Sequence, residues 1–104
     1  MILEKWQKLS KEKQIINIAA ELSRTKFWLG RKDREQALSC LNRAFELIDL
    51  TIGLSRHQKD LRELLRFREV LARFYIDKDK NADEFVKIFK TLLMLNGFTS
   101  LVKI

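Results

Sequence analysis

Residues 34–52 carry the strongest structural signal in the sequence, because nearly every residue obeys one helical period. At about 100° per residue, an apolar stripe follows one face and is widened on both sides. Its centre consists of Ala37, Leu41, Ala44, Ile48 and Ile52, and its edges of Leu38, Cys40, Phe45 and Leu47. The opposite face is polar and consists of Glu35, Ser39, Asn42, Arg43, Glu46 and Asp49. The pattern predicts an amphipathic helix that buries one face in the core of the protein.

The three glycines divide the remainder of the chain into further helical segments. Gly30, Gly53 and Gly97 each follow an amphipathic run, where glycine readily takes the left-handed conformation that closes a helix. Helix starts are marked by three pairs with capping-box spacing, namely Asp33 and Gln36, Ser55 and Gln58, and Asn81 and Glu84. Because the chain also has no proline, this punctuation predicts helices and no sheet.

We predict a single all-α domain over residues 1–104, built as an up-down antiparallel helical bundle, because short connections place successive helices side by side. The main helices are expected near 11–29, 34–52, 56–76 and 82–96, with a short extra helix within 1–9. The apolar arcs of the first and third main helices span about 200°, more than a surface helix needs. Such arcs contact neighbours on two sides or complete a symmetric dimer, so we expect a homodimer.

The chain is basic, and its net charge of +7 is unevenly distributed. Residues 35–55 hold one basic and three acidic side chains, a balance of −2, whereas residues 56–76 hold six and three, a balance of +3. A basic surplus attracts nucleic acid or an acidic protein. No apolar run approaches the roughly 18 residues of a membrane span. We therefore expect a cytoplasmic protein that does not enter a membrane.

The residue types that most often carry chemistry are scarce, with one cysteine and one histidine in the chain. Cys40, at the edge of the apolar stripe, is expected to be a small buried hydrophobe. His57 falls on the apolar side of the first turn of the helix near 56–76, where we expect a structural role beside a cap. No local spacing brings the two residues together as a nucleophile–base pair or zinc site. We therefore predict no catalytic residue, no cofactor and no metal, in a protein that is not an enzyme.

A calcium loop between the last two main helices is also excluded. Asp77, Asp79 and Asn81 match the first three ligand positions of such a loop. The loop requires glycine at its sixth position and a bidentate glutamate at its twelfth, but Ala82 and Ile88 stand there. We interpret the segment as a short solvated connection in which Asn81 caps the next helix.

Arg68 falls near the middle of the apolar arc of the third main helix. A buried arginine needs a partner, because an unpaired buried charge costs several kcal/mol. Asp49 or Glu46 can supply a structural ion pair. Alternatively, Arg68 lies at an interface between chains or in a ligand pocket.

Two basic features are candidate phosphate-binding surfaces. The first, at a helix end, consists of Arg24, Lys26, Arg31, Lys32 and Arg34 together with Trp28. Trp28 falls on the polar side of its helix, where an exposed ring can stack on a base while cations neutralise phosphates; the cations alone also complement the helix dipole. The second lies on the outer face of the third main helix and consists of Lys59, Arg62, Arg66 and Arg73, with Glu63 and Glu69 within pairing reach.

Two functional hypotheses follow. The first is a non-enzymatic protein-interaction module, an adaptor or regulatory subunit, which binds a protein partner or a second copy of itself. The alternative is a basic helical protein that binds RNA or single-stranded DNA through residues 24–34. The first hypothesis rests on the lack of recognisable chemistry, and the second on cations that surround an aromatic residue.

Overall fold

A computed structural model describes residues 2–78 and 80–94, and this part of the chain contains five helices and no strand. The helices are α1 (Ile2–Lys8), α2 (Lys11–Gly30), α3 (Arg34–Leu54), α4 (Gln58–Ile76) and α5 (Ala82–Met94). The predicted all-helical bundle is therefore confirmed, with four main helices and a short N-terminal one. The main helices form a ring, in which α2 and α4 each pack against both α3 and α5.

One face of each main helix builds the core. The buried side chains include Ile15, Ile18 and Leu22 of α2, Leu41 and Ile48 of α3, Leu64, Phe67, Leu71 and Phe74 of α4, and Phe85, Phe89 and Leu92 of α5. The most extensive helix pair is α2 with α3. Ala19, Ala37 and Ala44 are fully buried, and their small side chains let two helices approach closely. The stripe predicted in residues 34–52 is thus the core face of α3.

Helix α1 is held against the ends of α2 and α3 by one tryptophan. Trp6 is 5% exposed and belongs to the core. Its indole Nε1 donates a hydrogen bond to Thr51 Oγ1 at 2.9 Å. Gln14 of α2 donates from Nε2 to the carbonyl oxygens of Trp6 and Leu9, at 3.0 and 3.3 Å. Side-chain hydrogen bonds therefore fix the connection between α1 and α2 at both of its ends.

Three polar side chains cap helices, and two of them, Asp33 and Asn81, belong to the predicted cap pairs. Ser10, Asp33 and Asn81 each accept a hydrogen bond from a backbone N–H in the first turn of α2, α3 and α5. The donor–acceptor distances are 3.2, 3.1 and 2.8 Å respectively. Each cap satisfies an N–H group that the helix itself leaves without a partner.

The predicted cap pair of Ser55 and Gln58 is wrong. Helix α3 continues through Gly53, and the Ser55 hydroxyl donates to the carbonyl oxygen of Thr51 at 3.1 Å. Ser55 therefore serves the end of α3, whose last carbonyls lack helical partners. His57 occupies the N-cap position of α4, and its side chain makes no capping hydrogen bond.

The end of α2 also differs from the prediction. Gly30 lies inside the last helical turn, and the residue with a left-handed backbone is Lys32, with φ at 59°. Asp33 N donates to Trp28 O at 3.0 Å, and Lys32 N donates to Leu29 O at 3.1 Å. These are the two bonds of a Schellman motif with Lys32 at its left-handed position. A lysine there carries steric strain that a glycine avoids.

Some predicted features lie outside the described residues. They are the helix end near residue 96, the stop at Gly97, the segment 98–104 and the position of Asp79. Among the helices that the structure does describe, none combines the length and apolar content that crossing a bilayer requires.

Candidate interaction surfaces

Helix α4 has a second apolar row besides its core face. This row, the outer stripe, consists of Leu61, Leu65, Ala72 and Ile76. Leu65 is 47% exposed and Ile76 is 77% exposed, whereas Leu61 and Ala72 are half-buried. The broad apolar arc predicted for this helix is therefore divided, with one part in the core and the other uncovered by the described residues.

A groove of about 310 Å³ lies beside this stripe, between α3 and α4. It is lined by Asn42, Phe45, Arg68, Ala72, Tyr75 and Ile76, and we call it the outer groove. The Phe45 and Tyr75 rings meet edge to face, with centroids 5.8 Å apart and an interplanar angle of 79°. Aromatic surface of this kind supplies much of the binding energy at protein interfaces.

Arg68 crosses the outer groove to reach α3. Its Nε donates to Asp49 Oδ1 at 2.6 Å and its Nη2 donates to Asp49 Oδ2 at 3.3 Å. The hydrogen bond to Asp49 raises the pKa of Arg68 above its ordinary value, against a smaller lowering by burial. The guanidinium carbon also lies 5.2 Å from the centroid of the Phe45 ring. Of the two predicted partners, Asp49 and Glu46, Asp49 is therefore the one that pairs with Arg68.

The burial predicted for Arg68 is wrong. Its side chain is 39% exposed and that of Asp49 is 52% exposed, because the pair lies at the rim of the helix contact and not in the core. On the outer face of α4, Arg73 pairs with Glu69 at 2.8 Å, as the spacing predicts. Glu63 does not pair with a neighbouring cation, and its Oε2 is buried without a hydrogen-bond partner among the described residues.

The predicted exposed aromatic at the end of α2 is not Trp28. Trp28 is half-buried and packs against the core, whereas Phe27 is 51% exposed. The two rings meet edge to face with centroids 5.0 Å apart. The guanidinium carbon of Arg31 lies 4.6 Å from the centroid of the Phe27 ring. An aromatic ring beside a cation is therefore present, but one residue earlier than predicted.

The error arises from polar residues on the buried side of α2. Gln14, Glu21 and Thr25 are all at least nine-tenths buried. The buried face of α2 therefore includes these three polar residues and extends to Trp28. The apolar residues alone indicate a face that is centred farther from Trp28. Ile16, on the other side of the helix, is 39% exposed as a result.

Glu21 forms ion pairs with two of the cations near this end of the bundle. Its carboxylate accepts hydrogen bonds from Arg24 Nη1 and from Arg43 Nε, the latter at 3.0 Å. The hydrogen bond to Glu21 raises the pKa of Arg43 above its ordinary value. Arg24 is consequently engaged in an ion pair within the fold, although its side chain remains 59% exposed.

Arg34 joins the α2–α3 turn to the α4–α5 connection. Its Nη1 donates to the Lys78 carbonyl oxygen at 3.5 Å. In the same connection, Lys80 Nζ donates to the carbonyl oxygens of Phe74 and Tyr75, at 2.9 and 2.7 Å, and to that of Asp77. Burial, and to a smaller extent Arg34, lowers the pKa of Lys80 below its ordinary value. Lys80 thus closes the C-terminal end of α4, a role that the sequence did not predict.

The predicted cations at this end therefore have different roles. Arg31 covers the Phe27 ring, and Lys32 occupies the left-handed position of the Schellman motif. Lys26 is half-buried, whereas Arg31, Lys32 and Arg34 are exposed. Arg31 lies against the exposed Phe27 ring, whereas Arg34 contacts the connection that follows α4.

Cys40 and His57 lie in different parts of the bundle. Cys40 is 1% exposed, as predicted, and its Sγ accepts a hydrogen bond from Arg43 Nη2 at 3.2 Å. His57 lies at the N-cap of α4, near a helix start as predicted, but it is exposed and not on the apolar side of the first turn, because the helix begins only at Gln58. From Cys40 to the end of α3 the helix rises by about 20 Å. The two side chains therefore form no shared site.

Within residues 2–78 and 80–94, no three His, Cys, Asp or Glu side chains are grouped closely enough to hold a metal ion.

No protein family matches the chain, and neither a curated protein nor a solved structure is significantly similar to it.

Proposed function

We propose that the protein is a non-enzymatic interaction module that self-associates through the outer groove and the outer stripe. The observation that carries this proposal is the exposed apolar surface of α4, above all Leu65 and Ile76. Large aliphatic side chains beside an aromatic-lined groove are typical of surfaces that another protein covers. Burial of these side chains supplies the main driving force for association.

Charge complementarity favours a second copy of the chain as the occupant. The segment 35–55, which contains most of α3, has a balance of −2, and the segment 56–76, which contains α4, has a balance of +3. A twofold axis parallel to the helices would place α3 of each copy opposite α4 of the other. The acidic and basic helices then face each other twice, as a symmetric self-complementary interface requires.

Sedimentation equilibrium at micromolar concentration tests this proposal. The expected species has twice the chain mass of 12.4 kDa. Leu65→Glu should give a folded monomer, because a carboxylate at the centre of the interface would lose its hydration without a partner. Ile16→Glu is the matched control, because Ile16 is an exposed aliphatic residue of α2, and that variant should remain a dimer.

Two results would contradict the proposal. A monomeric parent chain at these concentrations rules out self-association. A Leu65→Glu variant that dimerises as well as the Ile16→Glu variant places the interface elsewhere. Circular dichroism of both variants verifies that each is folded.

A second candidate function, binding of RNA or single-stranded DNA, is supported by Phe27. This ring is half exposed and lies against the Arg31 guanidinium, in a chain of net charge +7. Base stacking on an exposed aromatic ring, with cations beside it, is a common way to hold a single strand. Its test is the salt dependence of binding, with Phe27 and Arg31 variants.

A further inference from the structure

A cavity of about 650 Å³ opens at the end of the bundle where α3 passes into α4. It lies between the α1–α2 region and the start of α4, and it shares no lining residue with the outer groove. Its size is within the range of small-molecule sites. Lys11, Gln14, Arg56, His57 and Asp60 are among its lining residues. None of the functions proposed above uses this cavity.

The charges around the cavity favour an anion. Lys11 and Arg56 oppose one carboxylate, that of Asp60, so the lining has a net charge of +1 with His57 neutral. Asp60 is already paired with Lys11. Arg56 and His57 are exposed, and no described residue forms a hydrogen bond or ion pair with either side chain. A guanidinium in this position is well suited to an oxyanion, which it binds with two parallel hydrogen bonds.

The start of α4 adds to this preference. The nineteen-residue helix begins beside the cavity, and the side chain at its N-cap, His57, makes no capping hydrogen bond. The N–H groups of a first helical turn carry a partial positive charge and bind phosphate or carboxylate groups. Arg56 and His57 immediately precede these groups in the chain.

Gln14 offers a hydrogen-bond acceptor to a ligand in the cavity. It lines the cavity although it is only 8% exposed. Its Nε2 donates to the carbonyl oxygens of Trp6 and Leu9. Because these oxygens can only accept, the orientation of the amide is fixed, and Oε1 is directed away from them. Among the described residues, no donor reaches that oxygen.

We infer that this cavity binds a small hydroxylated phosphate ester. The phosphate group is held by Arg56, His57 and the first turn of α4. A hydroxyl group of the same molecule donates to Gln14 Oε1. The two halves of the site select for different features of the ligand, so each half can be tested separately.

Titrations followed by ¹H–¹⁵N NMR with glycerol 3-phosphate and propyl phosphate test this inference. The two probes share a three-carbon chain and a phosphate group, but propyl phosphate lacks the hydroxyl groups. Glycerol 3-phosphate should shift the signals of Gln14 and His57 to saturation. Propyl phosphate should bind about fivefold more weakly, the usual effect of one lost hydrogen bond. Equal affinity for the two probes would remove Gln14 from the site.

The anion half of the site is tested with a pair of arginine variants. Arg56→Ala should weaken binding of glycerol 3-phosphate by about tenfold, the effect of losing a charge-assisted hydrogen bond. Arg66→Ala removes the same charge from an exposed position of α4 outside the cavity and should leave the affinity unchanged. Equal losses in both variants would indicate unspecific attraction to a basic surface. Shifts that fail to saturate would overturn the inference.

Discussion

Trp6 and Thr51 are joined by a hydrogen bond of 2.9 Å between side chains that stand 45 residues apart in the chain. Thr51 also donates from its hydroxyl to the Leu47 carbonyl oxygen at 2.8 Å. The threonine oxygen is therefore oriented by its own helix and accepts from the indole N–H. Both side chains are buried, so α1 is attached to the end of α3 by a polar contact within apolar packing.

Replacing Thr51 by valine should reduce the free energy of unfolding by about 1–3 kcal/mol, because the buried indole N–H of Trp6 loses its acceptor. Thr91→Val is the matched control, because the Thr91 hydroxyl is exposed and donates only to Lys87 O of its own helix. Urea denaturation of both variants measures the difference. Equal and small effects would mean that the contact with Trp6 adds little to stability.

Truncation of the α3 stripe should be much more damaging than truncation of the outer stripe. Leu41→Ala or Ile48→Ala should lower the free energy of unfolding by about 2–5 kcal/mol, since each leaves a cavity in the core. Leu65→Ala, at a side chain that is 47% exposed, should cost less than about 1 kcal/mol. This comparison requires a fixed protein concentration, because the outer stripe is the proposed dimer interface. A cost below about 1 kcal/mol for Leu41→Ala would contradict the central place of α3.

The Schellman motif at the end of α2 predicts two stabilising substitutions. Lys32→Gly should add about 1 kcal/mol to the free energy of unfolding, because glycine takes a positive φ without steric strain. Gly30→Ala should add about 0.5–1 kcal/mol, because alanine favours a helical position. A Cβ atom at Gly30 would have no neighbour within 4 Å. If Gly30→Ala were destabilising instead, the left-handed position would have to be Gly30, as its place in the sequence first indicated.

The positions of the helices follow from the sequence better than their ends do. Periodicity places α3 correctly because almost every residue of the stripe agrees. The predicted roles of Gly30 as the left-handed residue and of Ser55 as an N-cap are wrong, because several residues near a helix end can satisfy its free backbone groups. Local energies of about 1 kcal/mol decide among them, and tertiary packing can outweigh such differences.

The candidate surfaces were only partly predictable. Charge pairing between adjacent helices restricts the candidate partners of Arg68 to Asp49 and Glu46, and the structure shows the pair with Asp49. Trp28 was misplaced because buried polar residues such as Glu21 are invisible to a pattern of apolar residues. The sequence does not indicate the role of Lys80, because its three carbonyl partners come together only when the chain leaves α4 and turns back. Its signal in the sequence is limited to a lysine shortly after a helix end.

Lys80 should have a depressed pKa that depends on Arg34. Burial is the larger cause of the depression, and repulsion by Arg34 adds to it. Side-chain ¹⁵N NMR should therefore find Lys80 titrating below the ordinary lysine value of about 10.4. Arg34→Gln should raise the pKa of Lys80 part of the way back, whereas Arg62→Gln, on the outer face of α4, should not. An unchanged pKa in Arg34→Gln would mean that burial alone is responsible.

The same shift makes stability depend on pH in a definite direction. The folded-state pKa of Lys80 lies below the unfolded one, so the unfolded chain binds more protons between the two values. The free energy of unfolding therefore rises with pH in that alkaline window. The contribution is complete above the unfolded pKa and is lost as the pH falls through the folded one. Lys80→Met should lack this rise, which urea denaturation across the window measures.

The two functional proposals differ most clearly in what Phe27 does. If residues 24–34 bind a single strand, stacking on Phe27 and phosphate neutralisation by the cations should act as separate terms. Phe27→Ala should cost roughly 1–3 kcal/mol of binding free energy and leave the salt dependence nearly unchanged. Arg31→Ala should reduce the slope of log K against log salt by about 0.7, the value for one phosphate contact on a single strand.

Trp28→Ala provides the contrast, because Trp28 packs against the core. Loss of the Trp28 ring should lower the free energy of unfolding more than loss of the Phe27 ring, which is half exposed. Binding of RNA and single-stranded DNA by the folded fraction should depend on Phe27 and not on Trp28. Fluorescence anisotropy at several salt concentrations, with the parent and the three variants, measures both terms. If Phe27→Ala leaves the affinity unchanged, stacking does not occur, and Arg31 and its neighbours merely complement the dipole of α2.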